Sequence, residues 1–387
     1  MLPLRYTARN VLVRRSSALL TVLGIACTVA VFAGVIALRE GFESVYQVRG
    51  EEDIAIYLRP GASSEGESWI TRDIVDIVMK ERPEIAQAAD GRPLAAAESF
   101  LAVYMEQLDG DLTNVPLRGI QPLSLELMGD AVRLVEGRWF EFATDEVVIG
   151  RPLTERMRDA RIGDTIMLNV TPFKVVGIYE HDGALGSEVW GDAERMIDAL
   201  DRPGYQRIVA RLAPGTDLEA VKDDLGEDRR AAVGVQSERE YLGAQTGALG
   251  GALSILAGFL TIVMGSSAVL GALNTMLASV AARTHEIGVL LSLGYSRLSI
   301  FMTFLLEAAF IGVLGGVLGV LLTLPFDGLG TGMTNFNTFT DVSFAFRVTP
   351  ALVAQAFGLA FVLGLVGGAL PAWRAARMKP VDALRAH

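Results

Sequence analysis

Residues 17–38 read SALLTVLGIACTVAVFAGVIAL, 22 residues without a charge. At ~1.5 Å of rise per residue, a helix of that length crosses a hydrocarbon core of ~30 Å. A cleaved signal peptide would have an apolar region of about 7–15 residues followed by a small-residue cleavage site. This run is longer and leads straight into Arg39-Glu40-Gly41, so it reads as an uncleaved anchor. Three more such runs follow. Residues 241–282 carry no charge over 42 positions, residues 298–325 carry only Glu307, and the stretch between Arg347 and Arg374 is uncharged. The second run is longer than a bilayer requires, which predicts a helix that begins above the membrane.

The charges show where the rest of the chain belongs. Residues 39–242 hold 23 Lys and Arg against 40 Asp and Glu, whereas the remainder holds 11 against 5. The 387-residue chain has mean hydropathy +0.38 and is 20% charged, too apolar for a purely cytosolic protein and too charged for membrane helices alone. The basic residues cluster at span ends. Arg5, Arg9, Arg14 and Arg15 precede the first span, Arg283 and Arg297 bracket the link between the second and third, and Arg374, Arg377, Lys379 and Arg385 follow the fourth. All three clusters fall on one side of the membrane, which the positive-inside rule makes the cytosol. The expected fold is an α+β integral membrane protein: four transmembrane helices, with a large extracytoplasmic α/β domain between helices 1 and 2. The expected segments are a cytosolic start at 1–16, spans at 17–40, 247–282, 298–325 and 348–373, and the external domain at 41–240. A cytosolic link at 283–297, a short external loop at 326–347 and a basic cytosolic tail at 374–387 complete them.

Within the external domain, strand-like residues 53–58 (DIAIYL) precede Pro60-Gly61 and a helical stretch at 69–80. Residues 207–212 (RIVARL), Pro214-Gly215 and a helical stretch at 217–226 repeat that order. Two porter-like βα units at the ends of a domain (53–130 and 205–240) can pair into one sheet. Between them, EVVI at 146–149, TIMLNV at 165–170 and FKVVGIY at 173–179 predict an inserted β-rich subdomain at 131–204, with a helix at 152–159.

Several chemistries are absent from the sequence. It contains no G-x-x-x-x-G-K-[ST] loop, and none of its four lysines (Lys80, Lys174, Lys222, Lys379) follows a glycine, so no Walker-type ATP site is expected. His181, His285 and His387 are scattered, without the spacing of a zinc site, and no G-x-S-x-G elbow is present. The external carboxylates read as solvation of an acidic surface. A pI of about 4.9 argues against nucleic acid as a partner. The single cysteine, Cys27, cannot form an intrachain disulfide. No catalytic residue and no metal ligand is expected.

The link between the second and third spans, RTHEIGVLLSLGYSR at 283–297, resembles the R-x-x-E-I-G-x-L-x-A-L-G signature of the MacB/FtsX-type ABC-transporter permeases, with Ser292 where alanine is usual. The closing GGALPAWRAAR at 367–377 and PVDALR at 380–385 are similar to that family's ending. EGRWF at 136–140, EVVIG at 146–150, IGD at 162–164 and VVGI at 175–178 resemble its periplasmic core. These 387 residues contain no nucleotide-binding domain, so the resemblance leads us to expect a permease worked by a separate cytosolic ABC ATPase dimer, which would bind the ATP and Mg. It also implies a bacterial inner-membrane protein whose large domain is periplasmic.

The resemblance makes the 283–297 link a coupling helix that docks on the ATPase, with Arg283, His285, Glu286, Ile287, Gly288, Leu290, Leu291 and Gly294 as the coupling residues. Ile287, Leu290 and Leu291 form an apolar stripe, and Glu286 stands at the helix start, where its charge suits the dipole. A connector whose stripe lies on the bilayer surface is the alternative. Arg374, Arg377 and Arg385 suit contact with either the ATPase or anionic lipid. Gly312-x-x-x-Gly316 and Gly315-x-x-x-Gly319 are faces for close helix packing, within one subunit or in a dimer with a second copy or a paralogue. Glu307 lies inside the third span and is expected to hydrogen-bond a neighbour such as Asn274 or Ser266. The implied work is mechanotransmission: the spans act as levers on the external domain, which moves a lipid, lipoprotein or amphipathic cargo, with a periplasmic adaptor or cargo protein as a further partner. A regulator of an external cell-wall hydrolase, as in the cell-division branch, is the competing function.

Overall fold

The computed structural model describes residues 15–47, 51–181, 183–202, 204–335, 338 and 340–385; the basic residues Arg5, Arg9 and Arg14 lie outside them. In chain order the elements are α1 (Arg15–Gln47), β1 (Ile54–Leu58), β2 (Ile70–Thr71), α2 (Arg72–Glu81), β3 (Ala95–Glu106), β4 (Leu112–Ile120), α3 (Pro122–Met128), β5 (Val132–Gly137), β6 (Glu146–Gly150) and α4 (Arg151–Thr154). There follow β7 (Thr165–Leu168), β8 (Thr171–His181), β9 (Val189–Asp192), α5 (Ala193–Ala199), β10 (Gly204–Tyr205), β11 (Arg207–Arg211), α6 (Leu218–Glu227) and β12 (Gly234–Ser237). The chain ends with α7 (Glu238–Ala282), α8 (Thr284–Ser292), α9 (Arg297–Thr323), the strands β13 (Gly330–Asn335) and β14 (Thr340–Ala345), α10 (Pro350–Ala376) and α11 (Pro380–Arg385). Among the described residues, four helices, α1, α7, α9 and α10, are long and apolar enough to cross a membrane. The chain divides into a helical unit (up to residue 41, 251–329 and from 345) and a mixed α/β unit (42–250 and 330–344).

The helical unit is held by small residues. A Cβ added to Gly312 would come 2.6 Å from the Ala360 carbonyl oxygen and 3.1 Å from Gly364 Cα, and one on Gly316 2.8 Å from Ala360 Cβ. Gly312 and Gly316 therefore let α9 lie against α10 at backbone distance. The other pair faces α1: a Cβ on Gly315 would meet Ile25 and one on Gly319 would meet Val29, each at 2.7 Å. Both small-residue faces of α9 are thus filled within one chain. Thr21 donates to Thr275 at 2.8 Å, joining α1 to α7. Thr349 caps α10 by accepting from the Leu352 amide and donates to Glu40 at 2.7 Å.

The α/β unit is built on a ten-stranded sheet, in the order β12-β1-β11-β3-β4-β9-β6-β8-β5 with β7 beside β8. The two βα units meet near one edge of it, where β1 pairs antiparallel with β11, Ile56 opposite Val209. The same sheet continues through β4, which runs parallel to β9, into the region expected as an insert. The β3–β4 hairpin turns at Asp109-Gly110, where Gly110 has φ +96° and the Gln107 amide reaches the Asp111 carbonyl at 2.7 Å. The helix expected at 152–159 stops after Thr154. Leu108 and Arg158 bond across between this stretch and β3, through the Arg156 and Glu106 carbonyls, taking backbone groups that a longer helix would use. The segment expected as a short external loop contains the β13–β14 hairpin. Within the same unit Arg156 grips its Asp341 with two bonds of 2.8 and 2.9 Å.

The external carboxylates are not all on the surface. Arg118 on β4 is buried and donates to Glu65 at 2.5 Å, to Glu188 at 2.7 Å and to Glu98 at 3.2 Å. Arg207 on β11 bridges Glu98 at 2.6 Å and Glu65 at 3.1 Å, and Tyr241 donates to Glu65 at 3.1 Å. Burial pushes the Glu65 carboxyl up, but Arg118 and Arg207 outweigh it and hold it below its ordinary range. Charges this deep persist only when every partner is present. The cluster therefore locks β3, β4 and β11 to the loops carrying Glu65 and Glu188.

Candidate functional site

Helix α7 ends at Ala282, and the nine residues of α8 follow after Arg283. The Gly294 amide bonds the Leu291 carbonyl at 3.2 Å and the Tyr295 amide the Leu290 carbonyl at 3.1 Å, the double closure of a Schellman motif. Gly294 adopts φ +90° there, a value a side chain resists. Ser296 then caps α9 by accepting from the Ser299 amide at 3.2 Å. The chain thus passes from α8 to α9 in four residues, and α8 is a short, sharply bounded helix between two spans.

Its faces divide cleanly. Ile287 and Gly288 are buried, and Leu290 and Leu291 pack on the core formed by α1, α7, α9 and α10. The apolar stripe seen in the sequence therefore faces the chain's own spans, because those spans supply the nearest apolar surface. His285, Glu286, Val289, Ser292 and Leu293 form the opposite, exposed face, with Leu293 72% exposed. Beyond the closure, Gly294, Tyr295 and Leu298 are exposed as well. Val289 and Leu293 were not singled out in the sequence, although their i, i+4 spacing from His285 marks the face.

Arg283 turns inward. Its Nη1 donates to Glu307 at 3.0 Å and its Nε to Glu286 at 3.2 Å, and the guanidinium lies 5.0 Å from the centre of the Phe304 ring. Glu307 is thus paired with Arg283 rather than with Asn274 or Ser266; Ser266 donates to the Ile262 carbonyl of its own helix at 2.6 Å. The expectation missed this because Arg283 is separated from Glu307 by 24 positions, beyond any local pattern. α11 packs against α8, burying Ala383. Arg374 and Arg377 at the end of α10 are exposed, Arg377 lying 4.3 Å over Trp373, and Arg385 closes α11. The junction thus gathers α8, α11 and the ends of three spans. Among the described residues it presents no nucleophile–base pair, and its outward side chains are apolar, polar and charged in turn.

Comparison with known proteins places the whole chain. Residues 18–228 match the MacB-like periplasmic core domain and residues 255–380 the FtsX-like permease C-terminal domain; both are permease-type, and no ATPase domain is matched. Similar relatives include a macrolide export ATP-binding/permease protein MacB of Pasteurella multocida (strain Pm70), 29% identical over 95% of this chain and 57% of the relative. Another is a pyoverdine export ATP-binding/permease protein PvdT of Pseudomonas savastanoi pv. phaseolicola (strain 1448A / Race 6), 32% identical over 65% of this chain and 40% of the relative. The chain spans less than two thirds of the length of these curated relatives. Among solved structures, it is similar to the periplasmic region of MacB from Actinobacillus actinomycetemcomitans (13% identity, TM-score 0.36, covering 50% of this chain and 92% of that one). It is also similar to the extracellular domain of the noncanonic ABC-type transporter YknZ from Gram-positive bacteria (13%, 0.35, 48% and 99%). With the core-domain match alone spanning more than half its residues, four apolar helices and a mixed α/β domain between the first and the rest, the chain belongs to the MacB/FtsX-type ABC transporter permeases.

Proposed function

We propose that this protein is the permease subunit of an ABC system in a bacterial inner membrane and works by mechanotransmission. A cytosolic ABC ATPase dimer binds ATP and Mg and grips α8 by its exposed face. The observation that carries the reading is the division of α8. Its inner face is committed to the spans, while Glu286, Val289 and Leu293 stand outward on a helix closed at its C-terminus by the Gly294 motif. The basic residues bracketing that helix, and those ending α10, support a cytosolic position for it by the positive-inside rule. At ~1.5 Å per residue, the 33 residues of α1 and 45 of α7 extend to about 50 and 68 Å. Both exceed the ~30 Å hydrocarbon core, as levers that work beyond the membrane must. Two permease copies, or one with a paralogue, would flank the ATPase dimer. The macrolide and pyoverdine export named for the relatives supports export as the work done; the proposed cargo is a lipid, a lipoprotein or another amphipathic molecule.

The test is co-purification. The full chain, tagged, is expressed with an ABC ATPase encoded in the same genome, and retained ATPase is measured for wild type and for the double variant Val289→Asp/Leu293→Asp. Both side chains are exposed, so the fold should persist while an apolar contact becomes a desolvated charge. About tenfold less ATPase on the variant is expected, equivalent to ~1.4 kcal/mol. Equal retention on both would remove α8 as the docking element, and a wild-type chain that retains none of the organism's ABC ATPases would end the transporter reading.

A further inference from the structure

We infer that Glu307 is a positioning residue: by holding Arg283 it sets where α8, and with it Glu286, stands at the end of the spans. The inference rests on the reading of α8 as the ATPase-docking helix.

The contacts of Ile287, Leu290 and Leu291 seat α8 on the core, but apolar contact is non-directional. A short helix resting on it alone can roll and slide. The Arg283–Glu307 pair supplies direction, because a guanidinium presents its donors in a rigid planar fork. Three observations separate this pair from an ordinary ion pair. Arg283 stands at the N-terminus of α8, where the helix dipole disfavours a cation, so α8 itself gains nothing from the charge. Glu307 sits within an apolar span with its side chain only 7% exposed, and an ionised group there is costly and marks function more often than packing. Phe304, three residues before Glu307 on the same face of α9, lies under the guanidinium at 5.0 Å and keeps its plane.

Arg283 also bonds Glu286, whose side chain is 57% exposed. The series Glu307, Arg283, Glu286 therefore runs from the interior of α9 to the outward face of α8. A cationic group on the ATPase that reached Glu286 would meet a carboxylate whose place is set from within the span.

Replacing both members of a buried pair with apolar residues of similar volume is often neutral for stability, which separates positioning from support. The measurements use the full chain in lipid nanodiscs without ATPase: amide hydrogen exchange across 287–291 and the thermal midpoint. Glu307→Gln should speed exchange in α8 by about tenfold while α10 stays protected. The double variant Arg283→Met/Glu307→Leu should regain the wild-type midpoint and still show the faster exchange. A double variant that regains both would make the pair merely structural and overturn the inference, as would unchanged α8 exchange in Glu307→Gln. If the single variant fails to fold, the double variant carries the same decision. Because no ATPase is present, these outcomes are independent of whether co-purification succeeds.

Discussion

Two sites where this protein buries charge do so in opposite ways. In the α/β unit, two arginines and three glutamates close on one another with Tyr241 and Trp190 completing the bonds. At the α7–α8–α9 junction, a single arginine joins one buried and one exposed carboxylate. The first arrangement ties strands that are already hydrogen-bonded in a sheet, so it adds rigidity to a rigid part. The second ties a nine-residue helix otherwise held by apolar packing on the spans and on α11. A closed cluster resists change, whereas a single pair with one outward partner can be pulled upon. The difference suits a domain that must move as a body and a contact helix that must pass movement on.

The largest effect that would break this comparison is expected from Arg118→Met. It strips the main cation from Glu65, Glu98 and Glu188, and breaking such a buried network costs about 3–5 kcal/mol. Chemical denaturation followed by the fluorescence of Trp190, buried beside Arg118, would register it. Arg283→Met should cost less, about 1–3 kcal/mol, the penalty of a single unsatisfied buried group. Equal losses at the two sites would erase the distinction.

An effect of similar size to that of Arg283→Met is expected where the spans are held without charge. Gly312→Leu forces a side chain against the Ala360 carbonyl and Gly364, and overpacking of this kind costs about 1–3 kcal/mol. Gly271→Leu, where nothing lies within 4 Å, should cost nothing measurable. The thermal midpoint of the detergent-solubilised chain distinguishes them.

The smallest effect concerns acid. Glu65 is held below its ordinary value of 4.5, so its contribution is fully present above that value and is lost as pH falls through the lower, folded one. The midpoint of the α/β unit should be flat from pH 8 to pH 5 in this respect and fall only below about 4.5. A fall beginning near pH 6 would mean that Glu65 is not ionised in the cluster.

What could be read in the sequence divides along the same line. The four spans were legible because hydropathy is a local property, and β1 and β11 because their apolar runs end in Pro-Gly turns. The β3–β4 hairpin was missed although Asp109-Gly110, a strong hairpin signal, was present. Ala95-Ala96-Ala97 lacks the β-branched residues that mark a strand, and Pro116 interrupts the next one. The apolar stripe of α8 was visible, but not that it would seat on the chain's own spans and leave Val289 and Leu293 outward. The ionic cluster was beyond reach. Glu65 and Arg207 are 142 positions apart, and nothing near either distinguishes it from a solvated surface charge.

One consequence follows from the length of α7. Its 42 uncharged residues are roughly twice the ~20 that a bilayer needs. Many vertical registers therefore bury the same apolar length, and the lipid cannot set the height of this helix. A shift by one turn, ~5.4 Å along the membrane normal, exchanges one set of uncharged side chains for another at little cost to solvation. Height must instead be set by protein contacts: Thr21 of α1 holds Thr275 at 2.8 Å, and Arg283, the residue after α7, bonds Glu307 of α9. To the membrane α7 is a sliding rod, and its bonds to the chain's own neighbouring helices give it a resting position.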